Sequence, residues 1–502
     1  MNRKTILLGA IAGFLAGCTL DPDYQRPDLP VASAWPDGPA YQLASTDQTV
    51  PAAPTADAIG WREFFTDPRL QALIEIALKN NRDLRVAVLN VEAAEAQFRA
   101  KRADLFPHIS ATGTGQFQGL PDSTTISTSS DKTATSSSSY QTTSSSGGMY
   151  RYYTAGIGFT SYELDLFGKV RSAARQDFEQ YLGYAETRRS SQISLVAQVA
   201  NAYLTLLADR ELLRLTDETL ASQTKSYELT KVSLAGGTST ALALRQAETS
   251  VDTAQANQAL YTRQVAQDEN ALGLLLGEPL PADLPAGHGL DGEGLLAALP
   301  AGLPSDLLTS RPDVVSAEHN LKAANANIGA ARAAFFPSIS LTASDGVASN
   351  QLSNLFTAGA TTWSFAPQIS IPIFTAGQNQ ANLDLAKTQK NIQVADYEKA
   401  IQTAFREVAD ALAARGTYIQ QIKAQQALVD AYADAYRLSD LRFRTGVDNY
   451  LSALDSQRSL YSAQQNLVTL KQAELANLVT FYKALGGGWQ EHSIQQAEAS
   501  PS

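Results

Sequence analysis

The stretch RTGVDNYLSALDSQRSL, Arg444–Leu460, lies inside a run from Gln378 to Leu485 that has no proline and only two glycines, Gly416 and Gly446. Apolar residues recur there at three- and four-residue steps: Val447, Leu451, Leu454, Tyr461, Val468 and Leu475. That spacing predicts a helix with a narrow buried seam of the kind coiled coils use. Gly446 is the one sharp break, and Asp448 or Asn449 stands where the next helix needs an N-cap. The stretch therefore joins two long helices. The first, Gln378–Arg444, has about 67 residues and would reach ~100 Å at 1.5 Å per residue. Few compact domains need such a rod, whereas a long hollow assembly does.

Towards the N-terminus the pattern occurs a second time. A proline-free helix is expected from Lys169 to Ala235, a break at Gly236-Gly237, and a further helix from Thr240 to Leu276. Upstream, AEAQFRAKRADLFPHIS (Ala94–Ser110) parallels ANANIGAARAAFFPSIS (Ala324–Ser340), matching Arg102 with Arg332, Phe106 with Phe336 and Pro107 with Pro337. Downstream, Gly237 matches Gly446, Leu242 matches Leu451 and Gln255 matches Gln464. The offset is 230 for the first set (332 against 102) and 209 for the second (446 against 237). The Ser/Thr-rich run Ser123–Ser146 accounts for most of that difference. The chain is internally duplicated.

Each half also changes to a period of two. Ile109, Ala111, Gly113, Gly115 and Phe117 alternate with polar residues, as do Tyr153, Ala155, Ile157 and Phe159. In the second half Ile339, Leu341 and Ala343 alternate, and so do Phe365, Pro367, Ile369, Ile371 and Ile373. Two strand hairpins are expected, at about 108–166 and 338–373. Four strands cannot close a barrel, and an open edge in lipid leaves N–H and C=O groups unpaired at several kcal/mol each. Either these strands sit in water, or several chains share one barrel; three copies would supply twelve strands. Trp363, Tyr150, Tyr152 and Tyr153 are candidates for the membrane interface.

Bulk composition narrows the function. The 502 residues carry a net charge of −11, which excludes a basic nucleic-acid surface. One Cys and four His leave no disulfide framework within a chain and no Cys/His metal cluster. His108, His288, His319 and His492 are scattered without a matched acid or nucleophile, and no phosphate loop or dinucleotide motif is present. Ser222-Gln223-Thr224-Lys225 fits a Ser-x-x-Lys pattern but lies within a helix without companion motifs, so it reads as chance. An enzyme and a resident cofactor are not expected.

The one Cys follows a basic start, Met1–Lys4, and an apolar core, Thr5–Ala16, too short to span a membrane. Leu15-Ala16-Gly17-Cys18 resembles a bacterial lipobox. The resemblance implies cleavage before Cys18, S-diacylglycerol on its sulfur and N-palmitoylation of its new amine. Thr19, rather than Asp, follows the Cys, which favours the outer membrane. The expected division is a signal peptide (1–17), a lipid-anchored linker read as an extended tether (18–57), a first repeat (58–277), a connector (278–312), a second repeat (313–488) and a polar tail (489–502).

Five pieces in order, WREFFTDPRLQALIEIALKNNRDL (Trp61–Leu84), YELDLFGKVR (Tyr162–Arg171), LPSDLLTSRPDV (Leu303–Val314), SIPIFTAGQ (Ser370–Gln378) and RTGVDNYLSALDSQRSL (Arg444–Leu460), resemble the outer membrane factor family. The nearest branch looks like the lipoprotein channels that serve RND-type efflux pumps. The resemblance implies a mainly α chain with a membrane β-barrel. Its homotrimer would form a twelve-stranded barrel in the outer membrane and a twelve-helix tunnel in the periplasm. It implies a periplasmic adaptor and an inner-membrane pump as partners, with Gly237 and Gly446 at the docking tips. It also implies a pore constriction at Asn449, Leu451, Asp455 and Arg458. By spacing alone, Leu451 could equally pack in the helix seam and Asp455 cap or pair with a neighbour. A rival from another class is a periplasmic adaptor lipoprotein, which usually has one helical hairpin and no duplicated strand hairpins.

Overall fold

The computed structural model describes residues 19–41, 56–119, 149–290, 294–295, 299 and 307–493. Cys18 and the run Ser123–Ser146 lie outside them. The helices are α1 (Trp61–Phe64), α2 (Pro68–Asn80), α3 (Arg82–Ala103), α4 (Lys169–Ala235), α5 (Ala241–Leu276), α6 (Leu307–Ser310), α7 (Pro312–Ala333), α8 (Gln378–Arg444) and α9 (Tyr450–Ala484). The strands are β1 (Ser110–Gly119), β2 (Met149–Leu164), β3 (Ser338–Ser349) and β4 (Thr361–Ser370). Two compact units form, and neither follows one half of the duplication. One draws on Met1–Arg26, Ala93–Tyr181 and His319–Val394, the other on Pro27–Glu92, Leu182–Glu318 and Ala395–Ser502.

The first unit holds one antiparallel sheet in the order β1-β2-β3-β4. The register puts Ala111 opposite Ile157, Ile157 opposite Asp345 and Asp345 opposite Trp363. Phe159 opposes Ala343, which opposes Phe365. Directly opposed residues share a face, so these make one apolar face, interrupted by the Asp345 carboxylate and, near the β1–β2 end, by Arg151 opposite Phe117. The other face is polar: Thr114 Oγ1 lies 2.6 Å from Thr154 Oγ1 and Ser344 Oγ 2.8 Å from Ser364 Oγ. Tyr153 and Trp363 stand on the apolar face. Tyr150 and Tyr152 oppose Gln118 and Gln116 and fall on the polar one, contrary to the expectation that both mark a lipid interface.

Strict alternation along β2 would fail after Phe159, because Glu163 would then join the apolar face. A bulge between Phe159 and Tyr162 inserts one residue, with Ser161 at φ +56 and its N–H donating to Thr342 Oγ1 at 3.3 Å. Tyr162 and Leu164 then oppose Leu341 and Ile339, and the apolar face continues. On the polar face β2 and β3 come so close that a Cβ at Gly156, Gly158 or Gly346 would collide with the neighbouring backbone. Glycine at these positions is what allows the two backbones to approach. β4 stops at Ser370, short of the expected 373. Pro372, which has no N–H to offer a ladder, follows.

The second unit is built round α2. Asp67 caps it, Oδ1 accepting from the backbone of Arg69 (2.8 Å) and Leu70 (3.3 Å). Its Oδ2 accepts from the Tyr203 hydroxyl (3.1 Å) and the His288 backbone (2.9 Å), so one buried carboxylate joins α2, α4 and the connector. Phe64 stacks on Tyr482 at 4.0 Å, among Trp61, Phe65, Leu73 and Ile74. Buried Arg311 donates to Asp313, to Glu407 (2.7 Å) and to the Ala484 carbonyl (3.1 Å), tying the start of α7 to α8 and the end of α9. Within the segment read as a tether, the described residues 19–41 are packed rather than loose. Trp35 is buried and stacks on Phe405 at 5.0 Å.

Candidate functional site

The two long helical hairpins, α4–α5 and α8–α9, turn by the same device. At the first, Gly237 takes φ +74, its N–H donates to Leu234 O (3.0 Å), and Thr238 N–H donates to Ser233 O (2.9 Å). At the second, Gly446 takes φ +75, its N–H donates to Phe443 O (3.0 Å), and Val447 N–H donates to Arg442 O (2.9 Å). Both are Schellman caps, which need a left-handed residue that glycine supplies without strain. Three residues on, Thr240 caps α5 through Ala243 N–H (3.1 Å) and Asn449 caps α9 through Ser452 N–H (3.3 Å). Of the two expected caps, Asn449 serves. Arg442 reaches Asp448 at 3.4 Å instead.

Beneath the turns, Ala247, Tyr450 and Leu454 form a buried cluster, with Tyr227 and Phe443 packed against it. Ser222 Oγ accepts from Gln457 Nε2 (3.1 Å) and lies 3.3 Å from the Tyr436 hydroxyl, which makes it a joint between helices. The Ser-x-x-Lys pattern thus has a structural account.

The four candidate constriction residues separate by role. Asn449 is a cap. Arg458 Nη2 donates across to Ser250 Oγ on α5 at 3.1 Å. Leu451 and Asp455 share the turn that faces away from Tyr450 and Leu454. Leu451 is 50% exposed, and no described residue donates to the exposed Asp455 carboxylate. The expected seam is corrected here. Leu454 is buried within it, but Val447 and Leu451 are exposed: Val447 lies in the turn beyond the helix ends, and Leu451 points off the face that buries Tyr450 and Leu454. Leu451 has company that sequence reading did not assemble. Leu229, Val232 and Leu242 are exposed near the first turn, and Leu438, Leu441 and Leu451 near the second, each pair separated by the same offset of 209. That offset was the available signal.

Along the α4–α5 hairpin, Asp209 and Asp268 meet. Burial and the Asp209 charge push the Asp268 carboxyl up to about 6, and burial raises Asp209 as well. Among the described residues no three His, Cys, Asp or Glu side chains converge as metal ligands, and no helix is long and apolar enough to cross a membrane.

Residues 73–278 and 303–487 match the family model described as outer membrane efflux protein. The chain is 51% identical to the toluene efflux pump outer membrane protein TtgC of Pseudomonas putida, covering 99% of this chain and 98% of that one. It is 40% identical to the cation efflux system protein CusC of Escherichia coli, covering 98% and 100%. Among solved structures, the open state of the MtrE outer membrane channel of Neisseria gonorrhoeae superposes with a TM-score of 0.84 at 38% identity, covering 95% of this chain and all of that one.

Proposed function

The chain belongs to the outer membrane efflux protein family, and from that premise we propose that it is the passive exit duct of a tripartite pump. It is an outer membrane channel component, not an enzyme. The observation that carries the finer reading is the sheet. β1 and β4 are edges with no partner strand among the described residues, and one face is apolar. In lipid those edges must be paired. Three copies pairing β4 to β1 would close a twelve-stranded barrel with its polar face inside. Their long hairpins would make a twelve-helix tunnel in the periplasm. Cys18, with its diacylglycerol and N-palmitoyl groups, anchors each copy.

Small molecules enter from an inner-membrane pump of the RND type through a periplasmic adaptor that docks at the Gly237 and Gly446 turns. The exposed leucines beside those turns supply the apolar contact. The names of the relatives span an organic solvent and a cation, which supports leaving substrate choice to the pump. In a threefold assembly Leu451 and Asp455 form two rings one helical turn apart, with Asn449 and Arg458 bracing them. A ring of three carboxylates favours cations over anions.

Planar-bilayer recording tests this reading. Leu451→Ala with Asp455→Ala should raise single-channel conductance, by about twofold or more, and weaken cation preference. Unchanged conductance and selectivity would reject the two residues as the constriction. The rival adaptor reading is disfavoured by the four-stranded sheet with one apolar face. Density-gradient fractionation separates the two, since an adaptor would sediment with the inner membrane.

A further inference from the structure

The residues directly after Cys18 occupy a groove built for them. On α4 and the glycine before it, Gly168, Ser172 and Arg175 form one stripe at i, i+4 and i+7. On α7, Asn325, Gly329 and Arg332 form a second stripe with the same spacing. Thr19 lies against Gly168, where a Cβ would come within 2.9 Å of its Cα. Arg332 Nη1 donates to the Leu20 carbonyl (3.0 Å) and Asn325 Nδ2 to the Pro22 carbonyl (2.7 Å). Between them Asp21 points inward, its side chain 7% exposed, accepting from Ser172 Oγ (2.5 Å) and Arg175 Nη1 (2.8 Å). A Cβ on Gly329 would occupy the place of Asp21 Oδ1. Each of Leu20, Asp21 and Pro22 is thus held separately.

The duplication supplies a control. The positions equivalent to Asn325, Gly329 and Arg332 are Glu95, Arg99 and Arg102, and those equivalent to Gly168, Ser172 and Arg175 are Gly377, Ala381 and Asp384. That second set has a long side chain in place of the cradle glycine and an acid in place of the Arg that pairs with Asp21. The groove is specific to one of two related places.

We propose that Asp21 is a positioning residue that latches Thr19–Tyr24 between α4 and α7, so that groups carried by Cys18 leave the fold beside Gly168 and enter the lipid leaflet at the ends of β2 and β3. The lipid half of this rests on the lipidation proposed above. Gly168 follows the last residue of β2, Leu164, by four positions, and Phe167 stacks on Phe336 just before β3 at 4.7 Å. The anchor therefore emerges at the strand ends, not on a free leash. The partner is the acyl region of a phospholipid monolayer, because the emergence point adjoins the apolar sheet face.

The test uses full-length protein purified from outer membranes into lipid nanodiscs. Amide hydrogen exchange of residues 19–24 should be slowed about tenfold or more relative to a free peptide. Asp21→Ala should abolish that protection. Gly329→Ala should do the same while leaving the fold intact, since alanine favours the helix it sits in. The double variant should lose no more than either single one. Free exchange in the unaltered protein, or full protection in Gly329→Ala, would overturn the latch. The mass of the mature N-terminal peptide reports the lipid independently. A protected segment on a peptide that bears no lipid would keep the latch and sink the anchor placement. With lipid present, a photoactivatable palmitate should crosslink to peptides containing Tyr162–Phe167 in the unaltered protein and scatter in both variants. Scatter in the unaltered protein would overturn the placement.

Discussion

Asp345 is the residue most at odds with its surroundings. Its cross-strand neighbours are Ile157 and Trp363, and Ala343 and Val347 flank it on the same face. A lipid-facing acid costs less than the ~2–4 kcal/mol of a lysine or arginine at mid-depth, but it still costs. Asp345→Val should therefore stabilise the assembly by about 1 kcal/mol, read as a rise in the temperature at which it dissociates in detergent. At the turns, Gly446→Ala should destabilise by about 1 kcal/mol, because φ +75 is strained for alanine although a Cβ there would touch nothing. Gly446→Asn should lose less in the same thermal melt, since asparagine tolerates that region. Capping was legible in the sequence, because a cap is set by a few adjacent residues: Asn449 and the two glycines fell where local chemistry placed them. The second partnership of Asp67, with Tyr203 and His288, was not legible, since those groups lie 136 and 221 positions away. Nor was the exposure of Val447 within the turn, since a periodic pattern names a face but not where the helices stop.

At the scale of elements, the Asp209–Asp268 contact makes the α4–α5 hairpin sensitive to acid. An acid whose folded pKa is raised holds its proton more tightly in the folded state. It therefore withdraws stability as pH rises from about 4, its unfolded value, through its folded value, and restores it on acidification. With Asp268 pushed up to about 6, the melting temperature should gain about 1–2 °C from this pair between pH 7 and pH 5. Asp268→Asn should remove that increment, and an unchanged pH profile in the variant would show that the pair does not hold the helices. The long helices were readable almost to the residue, because absence of proline over 67 positions and a terminal glycine leave little choice. Strands were readable as periods but not in detail. The bulge at Ser161 exchanges odd for even phase, which a simple alternation conceals, and apolar alternation ran on past the last ladder bond of β4. Composition read the segment before α1 as a tether. It could not reveal that Trp35 and Asp21 are packed, since docking depends on surfaces made far along the chain.

For the molecule as a whole, the prediction concerns how many copies complete the sheet. Cysteines placed singly along β1 and β4 should crosslink one chain to the next in membranes, giving a ladder that ends at three bands. A ladder of two, or crosslinks confined within one chain, would contradict the shared barrel. The duplication was legible from two offsets and implied a repeated pair of hairpins. The two compact units cut across it, because strands of both halves share one sheet while helices of both halves share another core. The repeat is also unequal at the turns in a way that matters for whatever meets them. Leu242 and Leu451 are counterparts, whereas the counterpart of Asp455 is the neutral Gln246 and that of Arg458 is Thr249. Around the mouth of the proposed trimer, greasy knobs would come in sixes and negative charges in threes. A collar gripping the outside could be hexagonal, while an ion threading the middle would encounter a triangle.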